Sequence, residues 1–193
     1  MTQLSISPSS VLSVLTAYPR CLIAESIEFL RAARRYYPNR RFLRTELLCQ
    51  LAYWSRSPEA ICRRYLRDAP EDEVQKIYGE TFLTTLEQIA DAAEVSADDV
   101  VYELGCGRGR GVFWFNTVRG CRSVGVDINR YFIIQARRIQ RKAEIEGVDF
   151  VLGNVLDIDY GDADFIYLYG TAFSDRAIVR LVRRFESLRS GTR

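Results

Sequence analysis

Residues 100–111 read VVYELGCGRGRG, and no other stretch constrains the fold as tightly. An apolar strand ends at Glu103-Leu104, and Gly105, Gly107 and Gly109 then alternate with other residues. Glycine lacks a Cβ, so the chain can take positive φ there and a ligand can lie directly on the backbone. The dinucleotide spacing G-x-G-x-x-G fails in both registers. Arg110 stands at the third glycine position counted from Gly105, and Val112 stands there counted from Gly107. A nicotinamide-dependent oxidoreductase is demoted on that ground. A tight strand-to-helix turn with no ligand is the alternative reading of the same glycines.

Around this loop, helices and strands alternate. A helix from about Leu83 to Val95 precedes the strand Val100–Leu104, and the loop opens a second helix from about Gly109 to Val118. Strands follow at Ser123–Asp127, Asp149–Leu152 and Ala163–Tyr169. Asn129 is placed to cap a helix with Phe132, Ala136, Ile139 and Ala143 inward. A last helix, Ser174 to about Leu188, turns Ile178, Leu181, Val182 and Phe185 inward. This order predicts an α/β fold, a doubly wound, parallel, Rossmann-like sheet. Only four strands are found before the sequence reaches Arg193, so the sheet reads as truncated after strand four. Its uncovered edge suits a homodimer contact.

The first 70 residues differ in character. They hold 11 arginines against 5 acidic residues, about +6, while residues 71–193 hold 16 basic against 20 acidic, about −4. Residues 1–19 start irregular; helical periodicity then runs to Arg67, with Ile23, Ile27 and Leu30 on one face and Leu43, Leu47, Leu51 and Trp54 on another. The division expected is an Arg-rich helical subdomain over 1–70, a linker at Ala69–Glu73, and a ligand-binding domain over 71–193. The arginines are scattered, which favours a solvated or docking surface over a nucleic-acid face.

Composition excludes several chemistries. The chain has no histidine, so Ser-His and Cys-His nucleophile pairs and histidine metal sites are out. No apolar run is long enough to span a bilayer, and no membrane association is expected. Five cysteines without C-x-x-C spacing read as reduced thiols and place the protein in the cytoplasm.

The run Glu-x-Gly-x-Gly-x-Gly from Glu103 to Gly109 resembles motif I of class I S-adenosylmethionine (SAM) methyltransferases. That resemblance implies SAM as cofactor, with Gly105, Gly107 and Gly109 admitting it and Glu103 ordering the loop near the methionine amine. Asp127, at the end of the second strand, can accept both ribose hydroxyls, as the acid does at the same point of dinucleotide folds; its alternative is a helix N-terminal acid. Asn154 follows the third strand where the family places an adenine acceptor, and reads equally well as a turn residue.

Tyr78-Gly79-Glu80-Thr81 is similar to the loop of the non-SET (disruptor of telomeric silencing) lysine methyltransferases. The likeness implies that Tyr78, Glu80 and Thr81 enclose the amino-acid end of SAM. Residues Tyr169 to Phe173 resemble the segment that shapes the lysine channel in that family. Ala172 and Phe173 match, whereas Tyr169, Gly170 and Thr171 depart, which leaves the acceptor unidentified. Tyr169 and Phe173 are the candidates to wall an amine approaching the sulfonium. The expected activity is therefore methyl transfer, with a protein lysine as one acceptor. The alternative is a SAM-binding scaffold that transfers nothing and acts through its helices.

Overall fold

A computed structural model describes residues 8–66, 78–169 and 173–193, with side chains from Leu22 onward. The chain divides into two compact units, Met1–Pro38 and Asn39–Arg193. The first holds α1 (Pro8–Tyr36), which is already helical at Pro8 rather than near Pro19. Proline suits the opening position of a helix, where its missing N–H has no partner to lose. Within this unit the Ser26 hydroxyl donates to the Leu22 carbonyl at 2.8 Å, and Phe29 meets Tyr37 edge-on at 6.3 Å.

The second unit opens with a cap. Asn39 Oδ1 accepts from the amides of Arg41 and Phe42, both at 3.1 Å, and starts α2 (Arg40–Tyr53). Asn39 Nδ2 donates to the Thr117 carbonyl at 2.6 Å, which ties α2 to the sheet's own helices. Phe42, Thr45, Glu46, Cys49 and Tyr53 of α2 are buried. The apolar stripe seen in the sequence faces outward instead: Leu47, Leu51 and Trp54 are exposed, Trp54 at 88%. In α3 (Pro58–Leu66), Ile61 and Cys62 pack on the core that holds Cys49 and Tyr53. The compact units thus separate at Pro38-Asn39, whereas the sequence suggests a division after residue 70. The suggested linker lies outside the described residues.

The sheet follows. The elements run α4 (Leu83–Ala92), β1 (Val100–Leu104), α5 (Arg110–Trp114), β2 (Arg122–Asp127), α6 (Arg130–Ala143), β3 (Val148–Leu152), β4 (Phe165–Leu168) and α7 (Asp175–Phe185). A wider helical turn, Phe115–Arg119, continues α5. The strands lie in the order β3-β2-β1-β4, and every pairing is parallel. Glu103 stands opposite Gly125 on one side and Tyr167 on the other.

Alternation of side chains along each strand builds two cores. One joins Cys49 and Tyr53 of α2, Val112 and Phe113 of α5, and Phe132, Ala136 and Ile139 of α6 with Val148 and Phe150 of β3. The other joins Tyr102, Leu104, Val124 and Val126 with Ala177 and Leu181 of α7. On α7, Val182 is half exposed, and Ala177 takes an inward place that the sequence gives to bulkier residues. Trp114 is fully buried, with the Arg119 guanidinium over its ring at 5.6 Å from the centroid.

The outer edge of β4 is not bare at its start. Arg193 N donates to the Asp164 carbonyl at 2.9 Å, and Ile166 N donates to the Arg193 carbonyl at 2.8 Å. That is the ladder pattern of a parallel neighbour opposite Phe165. Among the described residues, no helix is long and apolar enough to cross a membrane.

Candidate ligand site

Beyond β1 the loop is bound to β2 by its first two amides, since Gly105 N and Cys106 N both donate to the Val126 carbonyl at 2.8 and 3.0 Å. Gly105 has φ +80°, and nothing lies within 4 Å of where its Cβ would be, so this glycine faces open space. The other two glycines serve the protein rather than an open crevice. A Cβ on Gly107 would lie 3.0 Å from the ring and hydroxyl of Tyr78. One on Gly109 would meet Phe150 at 2.6 Å, and the φ of +81° there is itself costly for any other residue. Gly111, a fourth glycine to which the sequence alone assigns no role, leaves room for the Glu103 carboxylate, which a Cβ would meet at 2.7 Å.

Glu103 lies beneath this loop and lines a cavity at the carboxyl ends of β1 and β4. It accepts from the Val112 amide, while its Oε2 is buried with no hydrogen-bond partner. Burial, reinforced by the negative charges of Glu80 and Asp127, pushes its pKa up to about 8. A buried carboxylate oxygen without a donor is costly, and an ammonium group would satisfy it.

Asp127 closes the loop from β2. Its Oδ2 accepts from Gly107 N and its Oδ1 from Asn129 N, each at 2.7 Å. Burial raises its pKa and the two amides oppose the rise. Each oxygen holds one donor, so lone pairs remain for hydroxyl ligands. Asn154 Oδ1 already accepts from Leu156 N at 2.9 Å, as a turn residue does, and Asn154 does not line the cavity.

The segment 78–81 covers the loop. Glu80 holds Arg108 in a two-pronged ion pair, Nε to Oε1 at 2.5 Å and Nη2 to Oε2 at 2.7 Å, and accepts from the Tyr78 hydroxyl as well. Burial alone would raise the Glu80 pKa, but the charge and hydrogen bonds of Arg108 outweigh it and hold it low. Thr81 and Tyr167 share a hydroxyl–hydroxyl bond across the cavity. Tyr169 is half exposed at the mouth, its ring against Gly79. Phe173 does not line the cavity: it packs on the apolar core beneath α7. Residues 170–172 lie outside the described residues.

Four participants escape sequence reading. Arg108 and Arg110 alternate with the glycines, and only that spacing hints at them. Tyr167 looks like any buried strand aromatic. Glu46 carries no signal at all, yet it takes Arg110 in a second two-pronged pair, Nε to Oε1 at 2.9 Å and Nη2 to Oε2 at 2.8 Å.

Residues 101–189 match the family model described as a methyltransferase domain. An RNA methyltransferase from Salinibacter ruber, solved with S-adenosylhomocysteine, superposes with a TM-score of 0.52 at 28% identity, over 59% of this chain and 74% of that one. The fold is the Rossmann-like methyltransferase fold. Among curated proteins, a protein-lysine N-methyltransferase of Saccharolobus islandicus is 33% identical over 87 residues, covering 42% of this chain and 52% of its own. A sterol 24-C-methyltransferase of Eremothecium gossypii is 30% identical over 96 residues, 47% of this chain and 26% of that protein. The chain therefore spans about half of one curated relative and about a quarter of the other. The matched methyltransferase segment contains Glu103, the glycine loop, Asp127 and Tyr167, and excludes Glu46 and Tyr78–Thr81.

Proposed function

We propose that this chain is a SAM-dependent methyltransferase and that its acceptor is an amine, a protein lysine in the first instance. One observation carries the cofactor reading: the unpartnered, buried Oε2 of Glu103 beside the open face of Gly105. The donor set fits. Glu103 would hold the ammonium of SAM, Asp127 would accept from the ribose hydroxyls, and the segment 78–81 would cover the amino-acid end. When bound, SAM supplies a methyl group already activated on a sulfonium.

The protein's part is to position, to dry and to admit. As it stands the cavity encloses about 40 Å³, room for a few waters. The ring of Tyr78 must therefore leave its seat over Gly107 for a nucleoside to settle. Tyr169 and Tyr167 offer aromatic walls at the mouth, and a drier mouth lets an amine arrive without its proton. The similarity to the Saccharolobus islandicus protein-lysine N-methyltransferase and the Tyr78–Thr81 segment support an amine acceptor. A cytoplasmic site of action belongs to the same reading, and Cys49, Cys62, Cys106 and Cys121 are unpaired thiols.

Calorimetric titration tests the cofactor. SAM should bind the chain, and Asp127→Ala should weaken it by about tenfold or more, the loss of hydrogen bonds to a charged acceptor. Affinity unchanged by that substitution removes Asp127 from the site. Methyl-labelled SAM in a cell extract tests the transfer: label should enter lysine. Binding without any label favours the non-transferring scaffold.

A further inference from the structure

Arg108 and Arg110 bring two full cations to the glycine loop, an unhelpful arrangement for a ligand that is itself a cation. Each is cancelled by a carboxylate from a different element, Arg108 by Glu80 and Arg110 by Glu46 of α2. Both pairs are well shielded, with side-chain exposures of 14% and 26% for the first and 18% and 5% for the second. With the arginines neutralised, the carboxyl groups of Glu103 and Asp127 remain to receive a cationic ligand.

We propose that Glu46, which lies outside the matched methyltransferase segment, is a specificity-determining residue. By cancelling Arg110 it sets the potential of the site so that the sulfonium SAM is favoured over its neutral-sulfur product, S-adenosylhomocysteine. This inference rests on the SAM reading above. The two ligands differ by one methyl group and one unit of charge, so the ratio of their affinities reports the potential at the sulfur. At an effective dielectric of about 20, one uncompensated charge about 10 Å away alters the affinity for a second charge by about an order of magnitude.

The full chain and its Glu46→Gln, Arg110→Gln and double variants are titrated with SAM and with S-adenosylhomocysteine. Glu46→Gln leaves Arg110 uncompensated and should cut the preference for SAM by about fivefold or more. Arg110→Gln removes a cation from the site and should raise that preference. The double variant, neutral against neutral, should return the ratio to within about twofold of the parent. A pair that merely braces the loop predicts otherwise: both single variants weaken both ligands together and the ratio stays put, which overturns the inference while leaving the SAM reading intact. A parent chain that binds neither ligand overturns the SAM reading and the inference with it. Should Glu46→Gln fail to fold, the rise expected in Arg110→Gln decides alone.

Discussion

A carboxyl group buried without a cation keeps its proton, and Glu103 is placed in that way. Its pKa near 8 means that at pH 7 most molecules carry it neutral, and an incoming ammonium must expel that proton. Binding of SAM at pH 7 should therefore release most of one proton more in the parent than in Glu103→Gln, read from calorimetry in buffers of different ionisation heat. An equal release in both would mean that Glu103 does not meet the amine. The free protein carries the opposite consequence. Between about pH 4.3, where an unfolded glutamate loses its proton, and about 8, the native state holds a proton that the unfolded chain has shed. The group's contribution to stability is therefore full below that window, declines as pH rises through it, and is gone above the folded pKa.

Among the described elements, α2 has an inward face that its apolar periodicity does not announce. Its periodicity draws the eye to Leu47, Leu51 and Trp54, which are exposed, whereas its inward face carries Glu46, Cys49 and Tyr53. Tyr53 meets both Tyr131 and Phe132 at 6.2 Å, and Glu46 clamps the first residue of α5. Removing one partner of a buried pair of this kind costs about 3–5 kcal/mol, because the other charge is left behind. A fragment of residues 39–193 should accordingly unfold in one cooperative transition. One of residues 78–193, which retains all of the matched methyltransferase segment, should lack that transition in thermal melts followed by circular dichroism. A sharp melt from the shorter fragment would show α2 and α3 to be dispensable.

At the level of the whole molecule, what was legible in the sequence is what short-range chemistry dictates. The alternation of elements, the parallel sheet, the Asn129 cap and the glycine loop all follow from residues close together in the chain, and all four are present. The roles of the individual glycines were not legible, because what fills the space above Gly107 or Gly109 comes from Tyr78 and Phe150. Glu46 was out of reach for the same reason: it meets Arg110 across 64 positions of chain. The likeness to the lysine-channel segment puts Phe173 at the mouth of the site, but the core beneath α7 holds it instead.

The two tryptophans of this chain occupy opposite settings, Trp114 sealed in the core and Trp54 almost wholly in solvent. The molecule thus carries its own pair of light sources. Acrylamide should extinguish the emission of Trp54 and leave that of Trp114 almost untouched, and equal quenching of the two would contradict the packing around Trp114. In Trp54→Phe the remaining indole becomes an undiluted optical gauge of the core, red-shifting only when the sheet and its helices come apart.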